Sequence, residues 1–146
     1  MSETIDAPNG LRQVLDLLDR DEQPPMGRLM DVRLIEASEG RAVFEGLPGE
    51  QHYNPMGGVH GGYAAGLLDS ACGIAVHTML QPGQGYTTIE LKVSYIRGMT
   101  AGTGPVRAEG RVINMGRRVA FSEAEIRDGE GRLIATASST LLVFAA

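Results

Sequence analysis

The sequence predicts an α+β fold in which one antiparallel sheet curls round a single buried helix, and three observations carry that expectation. The stretch Gly62 to Leu80 is apolar almost throughout, so a helix formed there needs cover on most of its sides. Two short runs rich in Val, Leu, Ile and Phe precede it, and four strand-like runs separated by turn residues follow it. Strands met in sequence order supply one antiparallel sheet broad enough to give that cover.

Taken in order, Leu11, Val14, Leu15 and Leu18 recur at three- and four-residue spacing, which predicts a short amphipathic helix. Asp21 to Pro25 reads as a connector, because Pro24 and Pro25 lack amide donors and push their neighbours toward extended backbone. Residues 1–25 are thus expected to form an N-terminal segment and residues 26–146 the main domain. Arg28 to Ile35 and Arg41 to Leu47 should pair as a hairpin across Glu39-Gly40. Glu50 to Gly58 holds Asn54, Pro55, Gly57 and Gly58, a composition that suits irregular backbone leading into the apolar helix. After Gln81-Pro82-Gly83 the period changes to two. Ile89, Leu91, Val93 and Tyr95 fall on one side, with Thr88, Glu90, Lys92 and Ser94 on the other. Strands over about Val106 to Ile113 and Val119 to Arg127 flank Asn114-Met115-Gly116, and a last one, Leu133 to Phe144, follows Asp128 to Gly131.

Composition narrows the function classes. With 42% apolar and 21% charged residues the chain is an ordinary globular one. A net charge of -5 argues against a general nucleic-acid surface, which needs clustered Lys and Arg. The single cysteine, Cys72, can form neither an internal disulfide nor a multi-cysteine zinc site, so a reducing cytoplasm is the expected location. His52, His60 and His77 are not at helical metal-ligand spacing and no Cys pair completes a site, so no metal is expected. Met1 to Asn9 lacks the basic and apolar parts of a signal peptide, and Asp69 and His77 interrupt the apolar stretch, so no membrane span is expected.

Between Glu50 and Glu90 the only formally charged residue is Asp69, and Leu67, Leu68, Ala71 and Cys72 flank it. A carboxylate in such surroundings costs several kcal/mol of desolvation unless something holds it. The bland reading, a solvent-facing or capping aspartate, fits poorly with a mid-helix position; a site at a subunit interface accounts for both burial and charge. Upstream, His60-Gly61-Gly62 stands where the loop ends and the helix begins. The first helical amides lack internal acceptors and lie at the positive end of the dipole, so Gly61 and Gly62 suit an oxygen gaining negative charge. Asn54 adds an amide and His60 an imidazole. The set can serve acyl transfer.

The segment Asn54-Pro55-Met56-Gly57-Gly58-Val59-His60-Gly61-Gly62, followed by Asp69, closely resembles the motif of hotdog thioesterases of the phenylacetate-degradation (PaaI-like) group, over roughly Arg28 to Phe144. The resemblance implies a hotdog fold and hydrolysis of an acyl-coenzyme A thioester. By position, Asp69 matches the carboxylate that activates water or attacks directly. Gly61 matches the backbone donor to the thioester carbonyl, and Asn54 the side chain that positions that carbonyl or the water. His60 matches the residue near the leaving sulfur, with a loop-fixing hydrogen bond as its alternative role, and Thr88 a hydroxyl that orients water. The resemblance further implies a homodimer, with a dimer of dimers beyond it, in which Asp69 approaches Asn54 and Gly61 of the other chain. A thioester suits this equipment because its thiolate leaves readily, so no cofactor is needed. Local cations must meet the coenzyme phosphates, and Arg97, Arg117 and Arg118 are the candidates. A binding module for acyl-CoA or an acyl carrier, without turnover, is the competing reading. Cys72 reads as inert core, and His77 as a cation at a helix C-terminus.

Overall fold

In the computed structural model, residues 9–146 are described; the segment Met1 to Pro8 lies outside them. Helix α1, Gly10–Arg20, opens on Asn9, whose Oδ1 accepts the Arg12 N–H at 2.9 Å. It ends at Asp21 in the left-handed region, with φ of 49°. Val14 is fully buried, and the Gly10 N–H donates to the Leu80 carbonyl at 2.9 Å, so this helix is stitched to the core.

The strand expected from Arg28 corrects to a helix followed by a shorter strand. α2 spans Pro25–Met30 and β1 only Val32–Ser38. Pro25 has a fixed φ that suits a first helical turn, where its missing N–H costs nothing, so the proline pair starts a helix as well as ending one. Asp31, at φ of 54°, turns the chain from α2 into β1.

β1 pairs with β2, Arg41–Gly46, with Ser38 opposite Arg41, so Glu39-Gly40 is the two-residue turn, and Gly40 takes a positive φ of 74°. The long helix α3 covers Gly61–His77. It is followed by β3 (Gln84–Tyr95), β4 (Val106–Met115), β5 (Val119–Arg127) and β6 (Leu133–Ala145). The six strands form one antiparallel sheet in the order β1-β2-β4-β5-β6-β3. The strand that leaves the helix therefore lies at the far edge.

α3 packs across the concave face of this sheet, as its near-continuous apolar surface demands. Leu67, Leu68, Ala71, Cys72, Ala75 and Val76 are all fully buried there. Gly110 of β4 lets the helix come close, since a side chain at that position would collide with the Ala71 carbonyl. Among the described residues no helix is long and apolar enough to cross a membrane.

The register of β3 departs from simple alternation. Thr88 pairs with Leu141 and Glu90 with Thr140, leaving Ile89 as an extra residue in a β-bulge. Phase is thereby reset. Leu91 and Val93 pack on the core as expected, but Ile89 is 57% exposed, and Thr88 turns inward rather than lying with Glu90 and Lys92.

Candidate active site

The inward turn of Thr88 has an immediate partner. Its Oγ1 donates to Asp69 Oδ1 at 2.9 Å, tying the edge strand to the middle of α3. Both residues are half-buried. A hydrogen bond to a carboxylate fixes its rotamer, so the lone acid of the apolar helix is oriented rather than loose. Asp69 and Thr88 form part of the wall of a cavity of about 250 Å³, whose other walls include Leu17, Pro24, Leu34, Phe44, Ile74 and Tyr86. Larger hollows, of 490 Å³ where α2 meets β1 and 320 Å³ on the outer face of β4 to β6, lie away from Asp69.

The second half of the expected constellation is organised at the N-terminus of α3. Asn54 Oδ1 accepts the N–H groups of Met56 at 2.9 Å and Gly58 at 3.3 Å, an Asx turn that shapes the loop and leaves the Nδ2 donor free of it. His60 is the N-cap. Its Nδ1 accepts the Gly62 N–H at 2.7 Å, which leaves the neutral ring's proton on Nε2. The His60 N–H in turn donates to the His52 carbonyl at 2.8 Å. The Gly62 amide is thus occupied, and among the described residues the Gly61 N–H has no acceptor. Tyr95, from the end of β3, donates its hydroxyl to the Gly61 carbonyl at 2.7 Å and holds that peptide in place.

Beneath the loop, His52 Nδ1 accepts the Gly49 N–H at 3.0 Å, and its ring lies against Tyr63 with centroids 4.4 Å apart. His52 Nε2 is buried 3.5 Å from Asp31 Oδ2 without hydrogen-bond geometry, and the buried Tyr63 hydroxyl is also unpaired. Burial, with the Asp31 charge second, pushes the Tyr63 phenol up to about 12.

Within one chain these two halves do not meet. Gly61 and Asp69 are eight residues apart on one helix, a rise of about 12 Å. Arg97, Arg117 and Arg118 are exposed, lie outside the cavity wall, and with Lys92 are the cationic side chains without a hydrogen-bond or ion-pair partner among the described residues. Cys72 is buried, and its thiol is pushed up to about 11, first by that burial. His77 corrects the expected helix-end cation. Burial lowers its pKa, and its Nε2 hydrogen-bonds Gln13 Oε1 at 2.8 Å, joining α3 to α1. Among the described residues no group of three His, Cys, Asp or Glu side chains gathers as a metal site.

Sequence reasoning missed Tyr86, Tyr95 and Leu17. Leu17 lies between residues of the recognised helical stripe, and Tyr95 stands in the apolar row of β3; nothing in their local pattern reveals which loop or cavity they reach.

The family model described as "Thioesterase superfamily" matches residues 56–135, more than half of the chain and a span that includes His60, Gly61, Asp69 and Thr88. The chain belongs to the thioesterase superfamily. This thioesterase is 34% identical over 111 residues to a Saccharolobus solfataricus protein with an esterase name, the alignment covering 75% of this chain and 76% of that one. It is 26% identical to acyl-coenzyme A thioesterase 13 of Mus musculus, over 89% of this chain and 91% of the other. Among solved structures, a mutant of the phenylacetic acid degradation protein PaaI from Thermus thermophilus superposes with a TM-score of 0.73 at 28% identity, covering 82% of this chain and 98% of that one. PaaI of E. coli superposes at 0.81 with 18% identity, over 94% and 95% of the two chains, which speaks to the fold alone. The thioesterase is a thioester hydrolase with the hotdog architecture, one sheet wrapped round α3.

Proposed function

We propose that this thioesterase hydrolyses an acyl-coenzyme A, with Asp69 as the catalytic carboxylate and with each active site divided between two copies of the chain. The observation that carries the reading is the Thr88–Asp69 hydrogen bond on the wall of a mainly apolar cavity. It presents a fixed carboxylate where an acyl group can lie. The unpaired Gly61 amide suits the thioester carbonyl, but at about 12 Å along the same helix it is out of reach of its own Asp69. A second copy supplies the missing donor.

The twelve-residue edge strand β3 gives such a copy a place to pair, since one side of its backbone is unpaired in the single chain. A dimer of dimers extends the same reading. In the assembled site the Gly61 N–H and Asn54 Nδ2 polarise the carbonyl, and Asp69 activates water or attacks the carbonyl carbon directly. His60 Nε2–H stands by the departing thiolate, and Thr88 orients the carboxylate and its water. Arg97, Arg117 and Arg118 meet the coenzyme phosphates; their freedom from ion pairs supports that role.

Release of free thiol from a panel of aromatic, short and medium acyl-CoAs tests the reaction. Asp69→Asn should lower turnover at least about a hundredfold. Mixing Asp69→Asn with Asn54→Ala subunits tests the division of the site. Regained activity is the expected result, because half of the mixed sites carry neither substitution; two variants that stay inactive together, with dimers verified, overturn the shared site.

A further inference from the structure

The cavity beside Asp69 has a volume of about 250 Å³. It is smaller than the roughly 300–1,000 Å³ of ordinary ligand sites, so it takes part of a ligand and not the whole. Asp69 and its partner Thr88 line it at one position along α3 and β3, and Ile74 and Tyr86 line it further along the same two elements, with Glu22, Gln23 and Ser70 completing its polar lining. Two spans along its walls give the distance between the Asp69–Thr88 position and the Ile74–Tyr86 position. From Asp69 to Ile74 the helix rises about 7.5 Å, and from Thr88 to Tyr86 the strand runs about 7 Å. Tyr86 and Thr88 both line this cavity from β3, with Thr88 nearer the bulge.

Tyr86 is held from behind. It stands against Gly73, where an added Cβ would sit 3.2 Å from the ring's Cε2 and 3.4 Å from the hydroxyl. The His77 ring closes on it from the end of α3, with centroids 5.5 Å apart. Burial, then the nearby Asp69 charge, raises the Tyr86 pKa, so the phenol stays neutral in this setting.

Resting on the reading that Asp69 acts on a thioester, we propose that Tyr86, seated on Gly73, is the floor of the acyl pocket and limits the acyl group to about six carbons in line or one six-membered ring. The length follows from that span of about 7 Å and the roughly 1.2 Å that an extended chain advances per bond. The apolar walls Leu34, Phe44 and Ile74 favour an uncharged acyl group. Gly73 matters because any side chain there pushes the ring forward into the space the acyl group needs.

The test is the chain-length profile of kcat/KM for straight acyl-CoAs of two to twelve carbons, with benzoyl-CoA alongside, measured on parent and variants. The parent should fall off steeply beyond about six carbons. Tyr86→Ala should move the optimum to longer chains, and Gly73→Ala to shorter ones or against the aromatic ring. Tyr86→Phe, which keeps the ring, should leave the optimum in place. Because Tyr86→Ala opens a cavity, Tyr86→Leu provides a milder lengthening should the alanine variant fail to fold. Hydrolysis whose chain-length optimum is unmoved by both the Gly73 and Tyr86 variants overturns the floor while leaving the thioesterase reading intact. A shift with Tyr86→Phe equal to that with Tyr86→Leu also overturns it, since recognition would then reside in the hydroxyl. Absence of hydrolysis from every acyl-CoA by the parent overturns the parent reading and this inference with it.

Discussion

Replacing Thr88 with valine removes one hydroxyl and leaves a β-branched side chain that suits a strand. The lost interaction is the 2.9 Å bond to Asp69 Oδ1. Hydrogen bonds to charged groups contribute about 1.5–3 kcal/mol, and the half-exposed setting of this pair points to the lower part of that range. At about 1.36 kcal/mol per factor of ten, the carboxylate's loss of orientation should lower kcat roughly ten- to thirtyfold. KM should change little, because acyl and coenzyme contacts remain. Thr88→Ser, which retains the donor, should recover most of the rate. Thiol release followed with a chromogenic disulfide reads the effect, and Cys72 does not consume the reagent because it is buried with its thiol pushed up to about 11. A Thr88→Val enzyme within about threefold of the parent, beside a disabled Asp69→Asn, would refute the argument that this bond positions the catalytic group.

Gly110→Ala places a methyl group against the Ala71 carbonyl and should cost about 1–3 kcal/mol, a drop of roughly 2–10 °C in melting temperature by calorimetry. His77 gives a pH dependence of definite sign. Its folded pKa lies below the ordinary 6.5, so the unfolded chain binds the proton first, and stability is lost as pH falls through 6.5 toward the folded value. His77→Gln should therefore narrow the difference in melting temperature between neutral and mildly acidic buffer. Deleting Ile89 removes the bulge while Thr88 and Glu90 keep opposite faces, so that variant should fold and retain turnover. Deleting Leu91 forces Glu90 into an inward position, and its melting temperature should collapse.

Local chemistry made much of the candidate site stand out in the sequence. The carboxylate Asp69 stood out because it is the single formal charge in a long uncharged run, and burying an unheld charge is costly enough to demand a reason. His60 and the paired glycines stood out because a helix start has unsatisfied donors wherever it occurs. The apolar helix and the strand periods likewise depend on residues only a few positions apart, and these elements appear where their patterns put them. The start of β1 was misread because Pro24-Pro25 carries two local meanings, and only the packing of α2 against β1 decided between them.

What the amino-acid order alone determined, then, was the α+β class with one sheet round one apolar helix, the helix with its lone acid and the glycine turn at its start, since each follows from short-range spacing and the cost of burying polarity; the hotdog expectation came from the resemblance of the Asn54 to Gly62 motif. Tertiary structure decided that Thr88 faces Asp69 and that Tyr86 lines the same cavity. It also decided that His77 is a neutral tie to α1. These depend on one extra residue in a strand ladder and on contacts between distant segments, and a reset of strand phase by a bulge leaves no mark in the local pattern of polar and apolar residues.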